Sequence, residues 1–433
     1  MNLLVRNGRV VDPGNGFDAV ADVLILDGRV SRLGPDLRAP AIPVVDASGR
    51  VVTPGLIDMH VHLREPGQEH KETIATGTRA AAMGGFTAVA AMANTQPVND
   101  TRAVTDYVLA EARARGVTRV YPIGAVTRGL AGAELAELGE LAEAGCVAYS
   151  DDGRPVMHGG LLRRALEYAQ AFGKPIISHA EDLHLAEGGV MHEGFVSTDL
   201  GLRGIPAAAE EVMVARDIAL AELTGTALHI AHVSTIAAIR LVRDAKARGV
   251  PVTAEVTPHH LILTDEALRA YDPNAKMAPP LRSKRDVEAC REALADGTLD
   301  AVATDHAPHA LADKEVELDH AANGIVGLET AVALCLTYLL HARVLELPTL
   351  IARLTVGPAR ILDLPGGTLT PGAPGDVTVL DLDRSHTVDP ARFQSKGRNT
   401  PFGGWALVGG PVLTVVGGQV VMQDGAIQVD RLG

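Results

Sequence analysis

The chain has 433 residues, enough for one large domain and a smaller one around a substantial core. It is 47% hydrophobic and 21% charged, and 39 basic against 53 acidic residues give a formal charge of −14, which excludes a general nucleic-acid surface. Its three cysteines, Cys146, Cys290 and Cys335, are far apart and form no C-x-x-C pair, which excludes a disulfide framework or a cysteine-based zinc site. A reducing, cytoplasmic compartment is therefore expected. The opening residues carry no apolar signal core, and the longest apolar run, Ala331 to Leu340, is too short to span a bilayer, so no membrane association is expected.

Residues 2–53 alternate apolar and polar positions between turn residues. Leu3 to Val11 reads as two strands about a tight Asn7-Gly8 turn, and Val23 to Val30 repeats the scheme about Asp27-Gly28. The pattern returns at the other end, in Gly375–Asp381 and Pro411–Met422. Both ends are expected to assemble one small β-sandwich domain, from residues 1–53 and 357–433.

Between them, over 54–356, short β-rich runs alternate with helical segments. Eight runs are predicted as strands: Leu56–Leu63, Phe86–Asn94, Arg119–Val126, Cys146–Asp152, Pro175–Ala180, Ala227–Val233, Val252–Val256 and Ala301–Asp305. Helices are predicted at Glu72–Met83, Val104–Arg115, Leu161–Phe172, Ala208–Leu223 and Ile236–Ala247. Eight βα units imply an α/β fold of the TIM (β/α)8 barrel type. A doubly wound open sheet fits less well, because no glycine fingerprint follows its first strand.

In such a barrel, functional groups gather where strands end. Strand one ends in His60 and His62, which share a face because strand side chains alternate. A bare His-x-His also occurs where polar residues merely leave a core strand. Here strand four ends in Tyr149-Ser-Asp-Asp-Gly153, strand five in His179, strand six in His232, and strand eight in Ala303-Thr-Asp-His-Ala-Pro-His309. Four histidines and two aspartates converge on one mouth, which reads as a metal site. Imidazoles suit zinc, a carboxylate can bridge two ions, and two ions can share a hydroxide and polarise a carbonyl. The donor charges leave two dications under-neutralised, so an anionic substrate is expected.

The strings Pro54-Gly-Leu-Ile-Asp-Met-His-Val-His-Leu-Arg-Glu-Pro-Gly67 and Ala303-Thr-Asp-His-Ala-Pro-His309 resemble the two signatures of the dihydroorotase family, within the amidohydrolase superfamily. Gly324-Ile-Val-Gly-Leu-Glu-Thr330 is similar to a segment of its bacterial class I form. The resemblance implies reversible hydrolysis of the cyclic amide of L-dihydroorotate to N-carbamoyl-L-aspartate, the third step of pyrimidine synthesis. It implies that His60 and His62 bind one zinc and His179 and His232 a second, with Asp152, rather than its neighbour Asp151, bridging them together with hydroxide. Asp305 would be both a metal ligand and the catalytic general base, then acid. Arg64, Asn94 and His309 would hold the substrate, with His62, Ala278, Asn323 and Gly324 beside it. A homodimer is expected, with aspartate transcarbamoylase as a candidate partner.

The chain departs from its relatives in places. Hydantoinases and allantoinases usually bridge their metals with a carboxylated lysine on strand four, and Cys146 to Asp152 has none. Ala278 stands where the dihydroorotase pattern has asparagine, and Asn323 replaces an apolar residue. Ala278 leaves open an allantoinase- or hydantoinase-like substrate. A non-catalytic scaffold for the transcarbamoylase is a third reading, disfavoured because every ligand position is filled. His229 is expected to face away from the mouth against a helix, and His259 and His260 are left outside the site. His70, His158, His184, His192, His320, His341 and His386 are read as surface or structural. Residues 306–324 are read as a lid carrying His309.

Overall fold

The first two barrel strands, Leu56–Val61 and Phe86–Ala91, are buried at every position, as parallel strands covered on both faces require. In the computed structural model, which describes residues 1–429, strand one pairs in parallel with strand two, and two with three (Arg119–Pro122). Strands four (Tyr149–Ser150), five (Ile176–Ser178), six (Leu228–Ile230), seven (Val252–Val256) and eight (Ala301–Val302) pair in sequence. Bridges Gly124–Tyr149 and Val61–His306 close the ring. The fold is a TIM barrel with a β-sandwich.

The predicted helices form at Ile74–Met83, Arg102–Arg115, Gly159–Gln170, Ala208–Thr224 and Ile236–Ala247. Thr73 and Thr235 cap two of them through their hydroxyls, and His158 caps a third by accepting from the Leu161 N–H. Several barrel strands are shorter than their apolar runs. Regular pairing gives out beside the functional residues beyond His60, because the backbone turns there: Arg64, His232 and Asp305 have φ of 61°, 34° and 47°. Non-glycine residues adopt this region rarely, in turns and bulges or where a functional site imposes it.

The terminal segments share one nine-stranded sheet, joined where Val51–Pro54 pairs antiparallel with Val377–Thr387. It curls around a core that includes Val5, Val10, Val23, Ile25, Val377 and Val415. The Asp27-Gly28 turn forms as expected, both residues at positive φ, and a Gly417-Gly418 turn divides the last predicted run. The Asn7-Gly8 turn does not form. Leu3–Asp12 is one strand paired along Phe17–Leu26, with a bulge between Val5 and Gly8. Asn7 takes the positive φ of the bulge, and a Cβ on Gly8 would lie 2.4 Å from Val52 Cγ2, so the glycine serves close packing rather than reversal. Residues 430–433 of the expected C-terminal part lie outside the described residues. No helix of the described residues is long and apolar enough to cross a membrane.

Helix Ile74–Met83 ends at Gly84, where a Cβ would stand 1.9 Å from the Leu328 carbonyl oxygen, just beyond the strand-eight loop. Gly84→Ala must push two backbones apart and is expected to cost about 1–3 kcal/mol, read as a lower urea midpoint.

Candidate active site

His60 lies in strand one and His62 directly after it; Asp152, His179, His232 and Asp305 follow strands four, five, six and eight. All six are buried. Asp152 is the common vertex: its carboxylate oxygens lie 3.5 Å from His60 Nε2, 3.4 Å from His62 Nε2, 3.3 Å from His179 Nδ1 and 3.6 Å from His232 Nε2. Asp305 Oδ1 stands 3.4 Å from His60 Nε2 and 3.0 Å from His62 Nε2. The neighbouring Asp151 points elsewhere, accepting from the N–H groups of Val126 and Thr127 at 2.8 and 3.0 Å.

Each of three imidazoles is turned by a partner on its far nitrogen. His60 Nδ1–H donates to Glu255 Oε1 at 2.7 Å, and His62 Nδ1–H to Asn94 Oδ1 at 2.8 Å. His179 Nε2 faces Glu181 Oε2 at 3.7 Å. The nitrogens left over all point at the aspartates, which is how metal-ligating histidines are held. Glu255 also takes His229 Nε2 at 3.2 Å, while His229 Nδ1 meets Thr253 Oγ1 at 2.8 Å. His229 therefore lies inside the barrel beneath the mouth, not against a helix. Strand six is three residues long and His232 sits at positive φ, so alternation does not carry from 229 to 232.

The electrostatics match a cation site. Burial pushes the Asp305 carboxyl up, but the charge of His60 and the hydrogen bond with His62 outweigh it and hold it below the usual carboxylate range. The same balance, against His60 and His229, brings Glu255 to about 2. Burial pushes His179 down, yet Asp152 and Glu181 raise it to about 10 without metal. His60 Nε2 and Asp152 Oδ1 are buried and have no hydrogen-bond partner among the described residues. Three groups, His60–His232–Asp305, His60–His62–Asp152 and Asp152–His179–His232, each bring their ligand atoms within 4.8 Å of one another. Orphaned lone pairs of nitrogen and oxygen at this spacing fit metal ions.

A cavity of about 250 Å³ opens over this centre, lined among others by His62, Arg64, Asn94, Glu181, Ala278, His309, Asn323 and Gly324. Arg64 is buried; its Nε–H donates to the Pro308 carbonyl at 3.2 Å, and burial lowers it only to about 10, so it stays cationic. His309 Nε2–H donates to the Asn323 carbonyl at 2.8 Å. Gly324 N–H donates to the Lys276 carbonyl at 3.0 Å, and its own carbonyl accepts from Lys314 and Asn399, so both its backbone groups are engaged within the protein. A Cβ there would stand 2.9 Å from His309 Cδ2. His259 and His260 are buried beside the mouth but outside the cavity. His260 bridges Thr257 and Pro279, and burial lowers His259 to about 3.

Residues 49–237 match the family described as Dihydro-orotase-like, and residues 198–422 the Amidohydrolase family. The chain is 60% identical to a dihydroorotase of Anaeromyxobacter dehalogenans over 425 residues, 98% of each chain. It is also 60% identical to a dihydroorotase of Pelotomaculum thermopropionicum over 428 residues, 99% of this chain and 100% of that one. The chain belongs to the dihydroorotase family. Similar solved structures include the L-hydantoinase (dihydropyrimidinase) of Arthrobacter aurescens, with a TM-score of 0.90 and 28% identity over 99% of this chain and 97% of that one. The D-hydantoinase (dihydropyrimidinase) of Thermus sp. gives 0.84 and 26% over 99% and 97%. The chain is thus an amidohydrolase of a metal-dependent superfamily that acts on a small molecule.

The sequence reading of this dihydroorotase-family chain missed Glu255, His229 and Glu181. Glu255 left one signal, a lone carboxylate inside the Val252–Val256 strand, whose only other polar residue is Thr253. Glu255→Gln keeps the shape but removes the charge that fixes His60, and is expected to weaken metal affinity about 10- to 100-fold in a chelator competition titration. Because His179 titrates near 10 without metal, it is protonated at pH 8 and must lose that proton to ligate. Metal uptake should therefore release protons and weaken as pH falls, read by calorimetry in buffers of different ionisation heat.

Proposed function

We propose that the chain is a dihydroorotase, opening L-dihydroorotate to N-carbamoyl-L-aspartate and closing it in reverse. The observation that carries this is a buried guanidinium, Arg64, sharing one small cavity with the His/Asp centre. A cation buried there calls for an anionic partner, and the ring substrate brings a carboxylate. We assign two zinc ions, His60, His62 and Asp305 to one, His179 and His232 to the other, with Asp152 shared; it belongs to two of the three donor groups. When bound, they supply Lewis acidity at the ring carbonyl and an activated water at neutral pH.

The chain's own residues do the rest. Arg64 clamps the substrate carboxylate. Asn94, whose Oδ1 is taken by His62, keeps its Nδ2 amide for the same group. His309 and Asn323 close that side, and Gly324 contributes by having no side chain to crowd His309. Ala278 leaves its wall apolar. Asp305, ionised, takes the proton of the attacking water as the carbonyl carbon gains oxygen, and returns it to the ring nitrogen as the C–N bond breaks. Residues 1–53 and 357–433 as one domain around a 54–356 barrel belong to this reading, supported by their shared sheet. So does a cytoplasmic location, supported by three buried free thiols. Homodimerisation, and association with aspartate transcarbamoylase, belong to this reading as what the family resemblance implies; Phe195 and Leu185, exposed after strand five, are apolar side chains open to a partner.

The hydantoinase-like alternative draws on Ala278 and on the solved neighbours. It leaves Arg64 without an anion. Purified zinc-loaded protein should open dihydroorotate in a spectrophotometric assay and lose this with chelator, with far less turnover of allantoin; the reverse preference would reject the assignment. Asp305→Asn should lower kcat about a hundredfold or more while circular dichroism stays native.

A further inference from the structure

The loop that carries His309, Asn323 and Gly324 does not hang free. It is tied to a segment of the C-terminal part that returns to the barrel mouth after strand Val377–Thr387. That segment is itself anchored: the N–H groups of Gln394 and Ser395 donate to Glu329 at 2.8 and 3.2 Å, and Ser395 Oγ donates to the buried Glu72. It presses on the loop so closely that a Cβ on Gly397 would lie 2.8 Å from both Pro308 and Val326 side chains.

Asn399 is the point of engagement. It is 4% exposed, and its carboxamide spans the two ends of the loop. Nδ2 donates to the Ala307 carbonyl at 2.9 Å and to the Gly324 carbonyl at 3.0 Å, while Oδ1 accepts from the His309 N–H at 3.0 Å. The Asn399 carbonyl accepts from Val326 N–H at 2.9 Å. Both amide hydrogens and one oxygen lone pair are thus spent on three backbone groups that flank the cavity. Two buried lysines hold the outer stretch in turn: Lys276 Nζ donates to the Leu318 carbonyl at 2.6 Å and Lys314 Nζ to the Ala322 carbonyl at 2.7 Å.

We propose that Asn399 is a positioning residue for substrate recognition, pinning the loop from the C-terminal part so that His309 and Asn323 stand in the cavity before substrate arrives. It touches neither the metal ligands nor the cavity and acts only through the loop backbone. Losing its two donors leaves the buried Ala307 carbonyl without a partner, leaves the Gly324 carbonyl to Lys314 alone, and frees the loop ends from each other.

The test uses full-length, metal-loaded protein with Asn399→Ala and Asn399→Asp. The aspartate keeps the acceptor for His309 N–H but sets an oxygen against the two carbonyls, so both variants should behave alike. Hydrogen exchange should show lost protection over 307–324, with the barrel strands and the bound-metal content as in the wild type. KM for dihydroorotate should rise about tenfold or more with kcat within about threefold. Unchanged exchange over 307–324, or protection lost evenly across the barrel, would overturn the assignment, as would equal loss in kcat and KM unchanged. The kinetic arm rests on the dihydroorotase reading and the exchange arm does not: a wild type silent on dihydroorotate sinks that reading and leaves exchange to judge Asn399.

Discussion

Asp152 is a buried carboxylate faced by four imidazole nitrogens at 3.3 to 3.6 Å, and the rest of the mouth is arranged around that fact. A charge so far from water is tolerable only when it is paired and its lone pairs are used. Without metal, protons on His60 and His179 serve, which is why both stand above the usual imidazole range despite burial. Those protons and a metal ion compete for the same lone pairs. The far nitrogens are already committed to Glu255, Asn94 and Glu181, so the rings cannot turn away to relieve the crowding. The site is thus built for cations before any arrive.

That arrangement extends downward into the barrel. Glu255 holds His60 with one oxygen and His229 with the other, and His229 rests on Thr253. A TIM barrel's interior is normally filled by apolar side chains. Here part of it is a hydrogen-bonded relay whose upper end is His60, fixing that ring's tautomer as well as its direction. Asp58, pushed up to about 7 by burial, adds to this floor by accepting from the N–H groups of His60 and Thr304, and so joins strand one to strand eight.

What the sequence made legible is what depends on short-range order. His60 and His62 follow from alternation, and the Asp and His side chains after strands four, five, six and eight from their place at strand ends. The eight βα units follow from the change of hydrophobic period. Alternation alone left Asp151 and Asp152 open and the family resemblance favoured Asp152; the structure adds the physical reason that Asp151 is spent on Val126 and Thr127. His229 was misplaced because a three-residue strand followed by a positive φ breaks the period on which the inference rests. Asn7-Gly8 was misread because the same dipeptide serves a bulge or a turn, and the choice is made by Val52, more than forty positions away. Glu255 and Asn399 act across large sequence separations, where a carboxylate within a strand was the one local sign of the first and nothing announced the second; Glu181 stands only two residues from His179, but its role depends on how that ring turns.

The separation of the two termini from the barrel is therefore less complete than the chain order implies. Their sheet joins residues 51–54 to 377–380 at the entrance to strand one, beneath the first histidines. Further on, the same C-terminal stretch climbs to the opposite rim and clasps the loop after strand eight. Strand one supplies His60 and His62, and the strand-eight loop supplies Asp305 and His309, so the two ends of the barrel that the chain must bring together carry much of the site. Closing a barrel fixes its first and last strands side by side, but it does not fix the loop beyond the last one. A segment that leaves the barrel, builds a second sheet and returns provides that restraint. The small domain and the recognition loop are in this sense one device: the first gives the chain a rigid base from which Asn399 can hold the second.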